Sequence, residues 1–312
     1  MATGAALHPV ALLKVPDYGE EAVFGAVGRL FEAIRFRPPA GAEVLVKPNL
    51  ISARSHGLAC THPMVVRAAC RALLDHGCRV RVGDSPAFGS ASFVARRSGY
   101  TAALKGLGVP LVTLGRPMDL DLSFGQRIGV SGDALESDII VNLPKLKCHG
   151  QMGITLGVKN LFGCVVGLRK GFAHRRFGGQ ENRFEAMIVD VMQALPQAVT
   201  LIDGILAMHV TGPMGGKPYA LQLLGACQGP VPLDTALCAM LGIVPDLAPV
   251  WRECRARDLP GSRAEDIAFP LLAPEDFNSS GFRTVERLDN VSFRPFRFVK
   301  STLKRIFLRM RH

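Results

Sequence analysis

Short apolar runs alternate along the chain with loops rich in glycine, proline and polar residues, and with segments of helical periodicity. Apolar runs of about four to eight residues between turn signals are typical of buried strands, whereas apolar residues three and four positions apart indicate helices. The pattern predicts strands over residues 43–47, 79–82, 109–113, 138–142, 199–203 and 220–225. It predicts helices over residues 64–76, 92–107, 154–166, 184–194 and 235–241.

This alternation decides the fold class. Strands that alternate with helices pair in parallel and are covered by helices on both faces. We therefore predict an α/β layered sandwich with a mostly parallel sheet, as one domain or as two closely packed lobes. The 312 residues exceed the roughly 250 at which a single core usually stops growing. The predicted organisation is an N-terminal extension (1–40), an α/β core (41–250), an irregular C-terminal segment (251–290) and a basic amphipathic tail (291–312).

Polar residues stand at or directly after the ends of four predicted strands. Ligands of open parallel sheets bind in the crevice outside the carboxyl ends of the strands. We therefore expect these polar residues to share one edge of the sheet and to bind a substrate or cofactor there. They are Lys47, Asn49, Asp84, Ser85, Lys145, Lys147, His149 and Asp203.

The segment 142–163 is the richest in candidate chemistry, and its Lys-Cys-His-Gly run is predicted to be a loop. His149 titrates near neutrality and could move a proton. Lys159 lies in an apolar helical run, where partial burial would lower its pKa and make it a better base or nucleophile, with Asn160 beside it as a binding residue. The structural alternative is that Lys159 extends its ammonium to solvent and that His149 only caps a turn.

Two other segments could hold an anion. Thr61 and His62 precede Pro63 at a predicted helix start, where free backbone N–H groups attract negative charge, although Thr61 could serve only as an N-cap. Residues 163–179 form a predicted basic loop that could clamp a carboxylate or phosphate, or could be a solvated surface loop. Its basic residues are Arg169, Lys170, His174, Arg175 and Arg176.

The formal charge of +11 first suggests a nucleic-acid partner, but its distribution argues against one. Residues 291–312 contain seven lysines and arginines and no acid, so the rest of the chain carries only about +4. In the tail, Leu303, Ile306, Phe307 and Met310 fall on one helical face. This pattern suits an interfacial helix on anionic lipid, a partner-binding helix, or a helix docked on its own domain.

Cysteine spacing and missing motifs exclude several classes. The eight cysteines form no C-x-x-C pair, so neither a zinc ribbon nor a cysteine-ligated iron–sulfur motif is present, and no disulfides are expected. Cys148 beside His149, and Cys60 near His62, leave a zinc site as a minor alternative. No P-loop, G-x-G-x-x-G, G-x-S-x-G or H-E-x-x-H motif occurs, which disfavours kinase, simple dehydrogenase, α/β-hydrolase and zincin activities.

Six ordered motifs over roughly residues 44–245 resemble the domain of unknown function 362 family, a set of prokaryotic proteins often described as iron–sulfur-related. The motifs are VKPNL (46–50), THP (61–63), VGDSP (82–86), PKLKCHG (144–150), LGVKNLFG (156–163) and DGI (203–205). Members commonly have threonine at the position of Cys148, so the resemblance implies no required thiol there. Some members also carry a ferredoxin-like module with clustered cysteines, which this chain lacks.

A fainter similarity links the chain to the lactate racemase family. In that family a catalytic histidine is followed ten residues later by a lysine that holds a nickel-pincer nucleotide, and His149 and Lys159 have this spacing. The start of the helix at Thr61, His62 and Pro63 is similar to the N-terminal binding segment of the racemases. The similarity implies a common fold and site, and a shared fold does not by itself imply nickel.

The sequence thus predicts an enzyme whose His149 and Lys159 carry out redox or proton-abstraction chemistry on a small anionic substrate. The sequence assigns no particular cofactor or metal, and no nucleic-acid partner is expected. The alternatives are a non-catalytic carrier that binds a cofactor or anion, and an interaction protein recruited to a membrane. Lacking a secretory segment or an apolar run of about 18 residues, the chain is expected to be cytoplasmic, with the tail able to attach it to the inner face of a membrane.

Overall fold

The computed structural model describes residues 7–51, 58–86, 91–167, 169–180, 182–213 and 215–289. One large sheet runs through these residues, with a separate two-stranded hairpin beside it. The sheet contains β1 (His8–Lys14), β2 (Glu43–Pro48), β3 (Arg79–Asp84), β4 (Leu111–Thr113), β7 (Ile139–Leu143), β8 (Lys145–His149), β9 (Gly153–Thr155), β10 (Ala198–His209), β11 (Lys217–Tyr219), β12 (Leu223–Gln228) and β13 (Ile267–Ala268). The hairpin pairs β5 (Pro117–Asp121) with β6 (Arg127–Ser131).

The helices lie mostly between the strands in sequence. They are α1 (Glu20–Ala33), α2 (Pro63–Asp75), α3 (Ala91–Arg97), α4 (Tyr100–Ala103), α5 (Gly132–Leu135), α6 (Gly157–Leu161), α7 (Arg169–Phe177), α8 (Arg183–Ala194), α9 (Pro230–Met240) and α10 (Pro249–Ala256). Within the described ranges, no helix has both the length and the apolar character needed to cross a membrane.

The main sheet has the strand order β13-β1-β12-β10-β7-β2-β3-β4. Strands β4, β3, β2, β7 and the first residues of β10 run parallel, whereas β12 is antiparallel to both β10 and β1. Strand β8 continues the parallel pairing farther along β10 and forms an antiparallel pair with β9. The predicted α/β fold with a mostly parallel sheet is confirmed.

Apolar side chains fill both faces of this sheet, which makes the architecture a layered sandwich. On β2, Val44 and Val46 enter the core beneath α1 and α2, and Leu45 enters the core beneath α8. Successive residues of a strand point to opposite faces, so one strand contributes to both cores. A third apolar cluster, which includes Leu12 of β1 and Leu233 of α9, packs against the antiparallel part of the sheet.

Several elements differ from the pattern predicted by sequence. The helix expected over 92–107 is two helices, because Gly99 adopts a φ of 83° at the start of α4. The expected helix over 154–166 is helical only in α6 and a short 3-10 turn (Phe162–Cys164), and its first residues belong to β9. The expected loop around Lys147 is strand β8, and the expected basic loop over 163–179 contains α7.

The N-terminal segment contributes directly to the layered structure. Strand β1 lies between β12 and β13, and its central residues Val10, Ala11 and Leu12 are completely buried. Helix α1 packs against α2 on one face of the sheet. The predicted basic tail, residues 291–312, lies outside the described residues.

Candidate functional site

A cavity of about 260 Å³ opens at the carboxyl ends of β2 and β3. Its walls come from the residues that follow these strands, from the end of β8, and from helices α6 and α7. Lysines and histidines dominate its polar lining. Of the residues predicted from sequence to form the site, the structure brings together Lys47, Asn49, Asp84, Ser85, Lys147, His149, Lys159 and Asn160.

Lys47 and Asp84 form a buried ion pair in the wall of this cavity. The Lys47 Nζ lies 3.0 Å from the Asp84 Oδ1, and both side chains are almost fully removed from solvent. The carboxylate also accepts the backbone N–H groups of Leu50, at 2.8 Å, and Ser85, at 2.9 Å. A Cβ at Gly163 would collide with both charged groups, so any other residue there would have to displace the ion pair. The charge of Lys47 is thus balanced within the protein.

Lys147 begins a chain of buried side-chain hydrogen bonds. Its Nζ donates to the Oδ1 of Asn49 at 2.6 Å and to the carbonyl of Ala59 at 2.5 Å. The Nδ2 of Asn49 donates to the Oδ1 of Asn160 at 2.6 Å, and the Nδ2 of Asn160 donates to the Oδ1 of Asn142 at 2.8 Å. These acceptors are neutral, and burial lowers the pKa of Lys147 to about 7.

Among the four lysines of the cavity lining, Lys159 has the fewest polar contacts. Its Nζ lies 4.8 Å from the centre of the Phe162 ring, and it forms no hydrogen bond or ion pair with another described residue. Burial, followed by the charges of Lys170 and Lys47, lowers its pKa to about 7. A substantial fraction of Lys159 is therefore an uncharged amine at neutral pH, able to accept a proton.

Helix α6 presents Lys159 to the cavity because a buried carboxylate fixes its first turn. Asp234 of α9 accepts the backbone N–H of Gly157 at 2.7 Å and of Val158 at 3.0 Å. Burial raises the pKa of Asp234 to about 7 despite these two donors. Asp234 is not among the site residues predicted from sequence, although an acidic residue inside the apolar run 230–240 was a visible signal.

The hydrogen bonds of His149 define its protonation state. The Nδ1 of His149 accepts the backbone N–H groups of Gln151, at 3.2 Å, and Met152, at 3.3 Å. Burial, and then the charges of Lys159 and Lys147, hold the pKa of His149 well below its usual value. The imidazole is therefore neutral, and the two backbone donors assign its proton to Nε2. In this form His149 is a hydrogen-bond donor.

Helix α7 adds Lys170 and His174, which face the cavity because they are four residues apart on one helical side. The Lys170 Nζ donates to the carbonyls of Ser85 and Gly163, and burial lowers its pKa to about 8. Burial and the charge of Lys159 lower the pKa of His174 to about 3, so this imidazole is also neutral. The positive charge of this segment is visible in the sequence. The four-residue spacing of Lys170 and His174 indicates a shared face only in a helix, and the sequence predicted a loop.

The hydroxyl of Thr155 also faces this space. Thr155 lines the cavity from β9 and is 3% exposed. Among the described residues its Oγ1 has no hydrogen-bond partner. A buried hydroxyl without a partner loses the hydrogen bonds that water would give it, so a ligand oxygen in the cavity would satisfy it.

Lys145, His62 and Asp203 form a separate cluster that does not line the cavity. The Oδ2 of Asp203 accepts the Lys145 Nζ and the backbone N–H of His62, both at 2.8 Å, and its Oδ1 accepts the Tyr18 hydroxyl at 2.8 Å. The Tyr18 ring stacks on His62 with centroids 3.7 Å apart. The anion at the start of α2 is therefore the protein's own Asp203 carboxylate.

Thr61 and His62 have structural hydrogen bonds at this helix start. The Thr61 Oγ1 donates to the carbonyl of Leu143 at 2.5 Å and accepts the backbone N–H of Asn49 at 2.8 Å. His62, rather than Thr61, is the N-cap of α2, because its Nδ1 accepts the N–H of Met64 at 3.2 Å. These contacts join α2 to the ends of β2 and β7 and so support the cavity from behind.

The donor set of the cavity fits an anion better than a metal ion or an iron–sulfur cluster. All eight cysteines are buried, and Cys148, whose pKa burial raises to about 11, packs in the apolar cluster under α9. Within the described ranges, no three histidine, cysteine, aspartate or glutamate side chains gather as metal ligands. The ammonium groups around His149 and His174 would repel a cation.

The fold and the cavity define an α/β protein with a cation-lined site at the carboxyl edge of a mostly parallel sheet. Residues 44–239 match the family model described as Domain of unknown function (DUF362), and the chain belongs to this family. A thylakoid-associated protein of Synechocystis sp. is 34% identical over 306 residues, covering 96% of this chain and 95% of that protein.

Two solved structures show fainter similarity. A protein from Thermotoga maritima aligns with a TM-score of 0.41 and 13% identity, covering 67% of this chain and 56% of that one. The lactate racemase apoprotein from Thermoanaerobacterium thermosaccharolyticum aligns with a TM-score of 0.40 and 12% identity, covering 65% and 52%. The chain spans little more than half of each structure, and no residue role is transferred from them.

Proposed function

We propose that the protein binds a small anionic substrate in this cavity and abstracts a proton from it, with Lys159 as the base. The observation that carries the proposal is the state of Lys159, which is desolvated, surrounded by cations and without a hydrogen bond to any described residue. A base whose pKa lies near the working pH combines a usable unprotonated fraction with adequate basicity. Of the two reaction types expected from sequence, proton abstraction is favoured because the chain supplies both a base and a donor.

His149 would act as a neutral donor, not as the acid and base expected from sequence. In the proposed step the carbon–hydrogen bond next to a carboxylate or carbonyl breaks, and Lys159 takes the proton. The electron pair moves onto the adjacent oxygen, where the Nε2–H of His149 and the nearby ammonium groups stabilise the developing charge. A neutral imidazole held in one tautomer is suited to this, because its proton is donated without being lost.

Deuterium exchange tests this proposal. The full chain is incubated in D₂O with a panel of two- to four-carbon hydroxy- and ketocarboxylates, and deuterium at the α-carbon is measured by mass spectrometry. We expect exchange above the uncatalysed rate for at least one compound, its loss in Lys159→Met, and its retention in Lys105→Met, a change at an exposed lysine. Binding of the panel without exchange in the unmodified protein would support the carrier alternative and refute catalysis.

We also propose that residues 291–312 attach the protein to anionic membrane surfaces. The seven basic residues and absence of acids in this segment support the proposal, as does the name of the 34% identical thylakoid-associated relative. Basic residues near an anionic lipid surface contribute about 1 kcal/mol each. The full chain should float with vesicles containing phosphatidylglycerol and not with phosphatidylcholine alone. The charge reversals Lys304→Glu, Arg305→Glu and Arg309→Glu should abolish flotation, and unchanged flotation would refute the proposal.

A further inference from the structure

The charges of the cavity do not balance. Lys47 is neutralised by Asp84, the only carboxylate among the described residues of the lining. Lys159 acts as an uncharged base in the proposed function. Two lysines, Lys147 and Lys170, remain without an ion pair in the described part of the lining, and Asp84, which acts on both from a distance, is already paired with Lys47. Desolvated cations without counterions are unfavourable, so a ligand that supplies the missing negative charge would be stabilised.

Neutral acceptors hold both lysines in place. The amide oxygen of Asn49 and the carbonyl of Ala59 fix the Lys147 ammonium, and the carbonyls of Ser85 and Gly163 fix that of Lys170. Lys147 is completely buried and Lys170 is 8% exposed, so neither side chain can relieve its charge by turning into solvent. These carbonyls orient the ammonium groups but leave their net charge unbalanced.

We propose that the ligand is a small dianion, a dicarboxylate or a phosphomonoester, whose two negative charges are held by Lys147 and Lys170. This inference rests on the proposed function, in which Lys159 is uncharged and therefore needs no counterion. The unpartnered Thr155 hydroxyl supplies a donor to one of the ligand oxygens. A monoanion would provide a counterion for only one of the two lysines, so the other would gain no attraction from the ligand, and this difference gives the site its selectivity.

Proton uptake should accompany binding of a dianion. Since the pKa values are about 7 for Lys147 and about 8 for Lys170, the two lysines are only partly protonated at pH 8. A bound dianion favours their charged forms, so roughly one proton is taken up for each ligand bound. Affinity should therefore rise as the pH falls from 9 to 7.

Matched probes separate charge from shape. Sulfate and methanesulfonate are tetrahedral anions of similar size that carry two charges and one. Calorimetric titration of the full chain at pH 8, at constant ionic strength set with sodium chloride, should show sulfate binding at least roughly tenfold more tightly. Titrations in HEPES and in Tris buffers measure proton uptake, because the two buffers differ in ionisation enthalpy. Malonate and inorganic phosphate then show whether the dianion is a dicarboxylate or a phosphate compound.

Titrations of two variants show whether the dianion is bound in this cavity. Lys170→Met should reduce the preference for sulfate, whereas Lys105→Met, the exposed control, should not. Equal affinity for sulfate and methanesulfonate, or sulfate binding without proton uptake, would overturn the dianion inference and leave an anion site in place. Sulfate binding that persists unchanged in Lys170→Met would also overturn it, since the ion would then be bound elsewhere. If no anion of the four binds, the proposed anion-binding function fails as well.

Discussion

Replacing Lys159 by methionine should stabilise the ligand-free protein, which is unusual for a change in a cavity wall. Burial and the neighbouring lysines lower the Lys159 pKa from 10.5 to about 7, so the charged form is disfavoured in the folded state. A shift of this size corresponds to about 5 kcal/mol as an upper bound. The side chain is mostly buried but keeps some contact with solvent, so we expect a gain of about 2–4 kcal/mol at pH 6.5.

The pH dependence of this gain follows from the sign of the shift. Below pH 7 Lys159 is protonated in both the folded and unfolded chain, and the full penalty applies. Between pH 7 and 10.5 the unfolded chain binds the extra proton, so the unmodified protein becomes more stable as the pH rises, by up to about 1.4 kcal/mol per pH unit. The stabilising effect of Lys159→Met should therefore shrink toward zero as the pH approaches 10.5.

Urea denaturation at pH 6.5, 8 and 9.5 measures the effect directly. Lys105→Met serves as the control, because its side chain is exposed and the same charge is lost. Its effect on the free energy of unfolding should be small and nearly constant with pH. A constant difference between Lys159→Met and the unmodified protein, or a loss of stability at all three pH values, would show that the Lys159 ammonium is not desolvated and would remove the basis for its role as a base.

Three further substitutions test the surroundings of the cavity. Gly163→Ala should lower the melting temperature and weaken stabilisation by sulfate, because its Cβ collides with the Lys47–Asp84 ion pair; an unchanged sulfate effect would contradict this packing. Asp203→Ala should lower the free energy of unfolding by about 3–5 kcal/mol, since it leaves a buried cation unpaired, and a second change, Lys145→Met, should recover most of that loss. Asn160→Ala should lower the free energy of unfolding by about 1–3 kcal/mol, measured in urea, because Asn49 and Asn142 lose hydrogen-bond partners.

The fold and the edge that carries the cavity could be predicted because both depend on local patterns. Alternating strands and helices dictate a parallel sheet, and polar residues at strand ends mark its carboxyl edge. These patterns predict that Lys47, Asn49, Asp84 and Lys147 surround one space, and in the structure they line the same cavity. The two residues predicted to be catalytic, His149 and Lys159, also face this cavity. Their catalytic roles stay predictions.

The features of the site that could not be predicted from the sequence depend on contacts between distant segments. Asp203 and Lys145 stand at or just after the ends of predicted strands, as the residues of a ligand site would. Whether two such charges face a ligand or each other depends on side-chain direction. Asp234 acts on α6 from 77 residues away. The sequence predicts a loop where strand β8 forms, and in the structure the neutral acceptors of Lys147 and the ion pair of Lys145 make two lysines tolerable in this buried strand.

The position of β1 has a practical consequence for anyone dividing the chain into pieces. The family-matching stretch 44–239 omits this strand, although β1 is an interior member of the sheet, hydrogen-bonded to β12 on one side and β13 on the other. In a fragment cut at those limits, β12 would be an unpaired edge strand with apolar residues on both of its faces. Such an edge promotes strand pairing between molecules. The matched stretch is thus shorter than the sheet to which it contributes, and expression trials should retain β1 and β13.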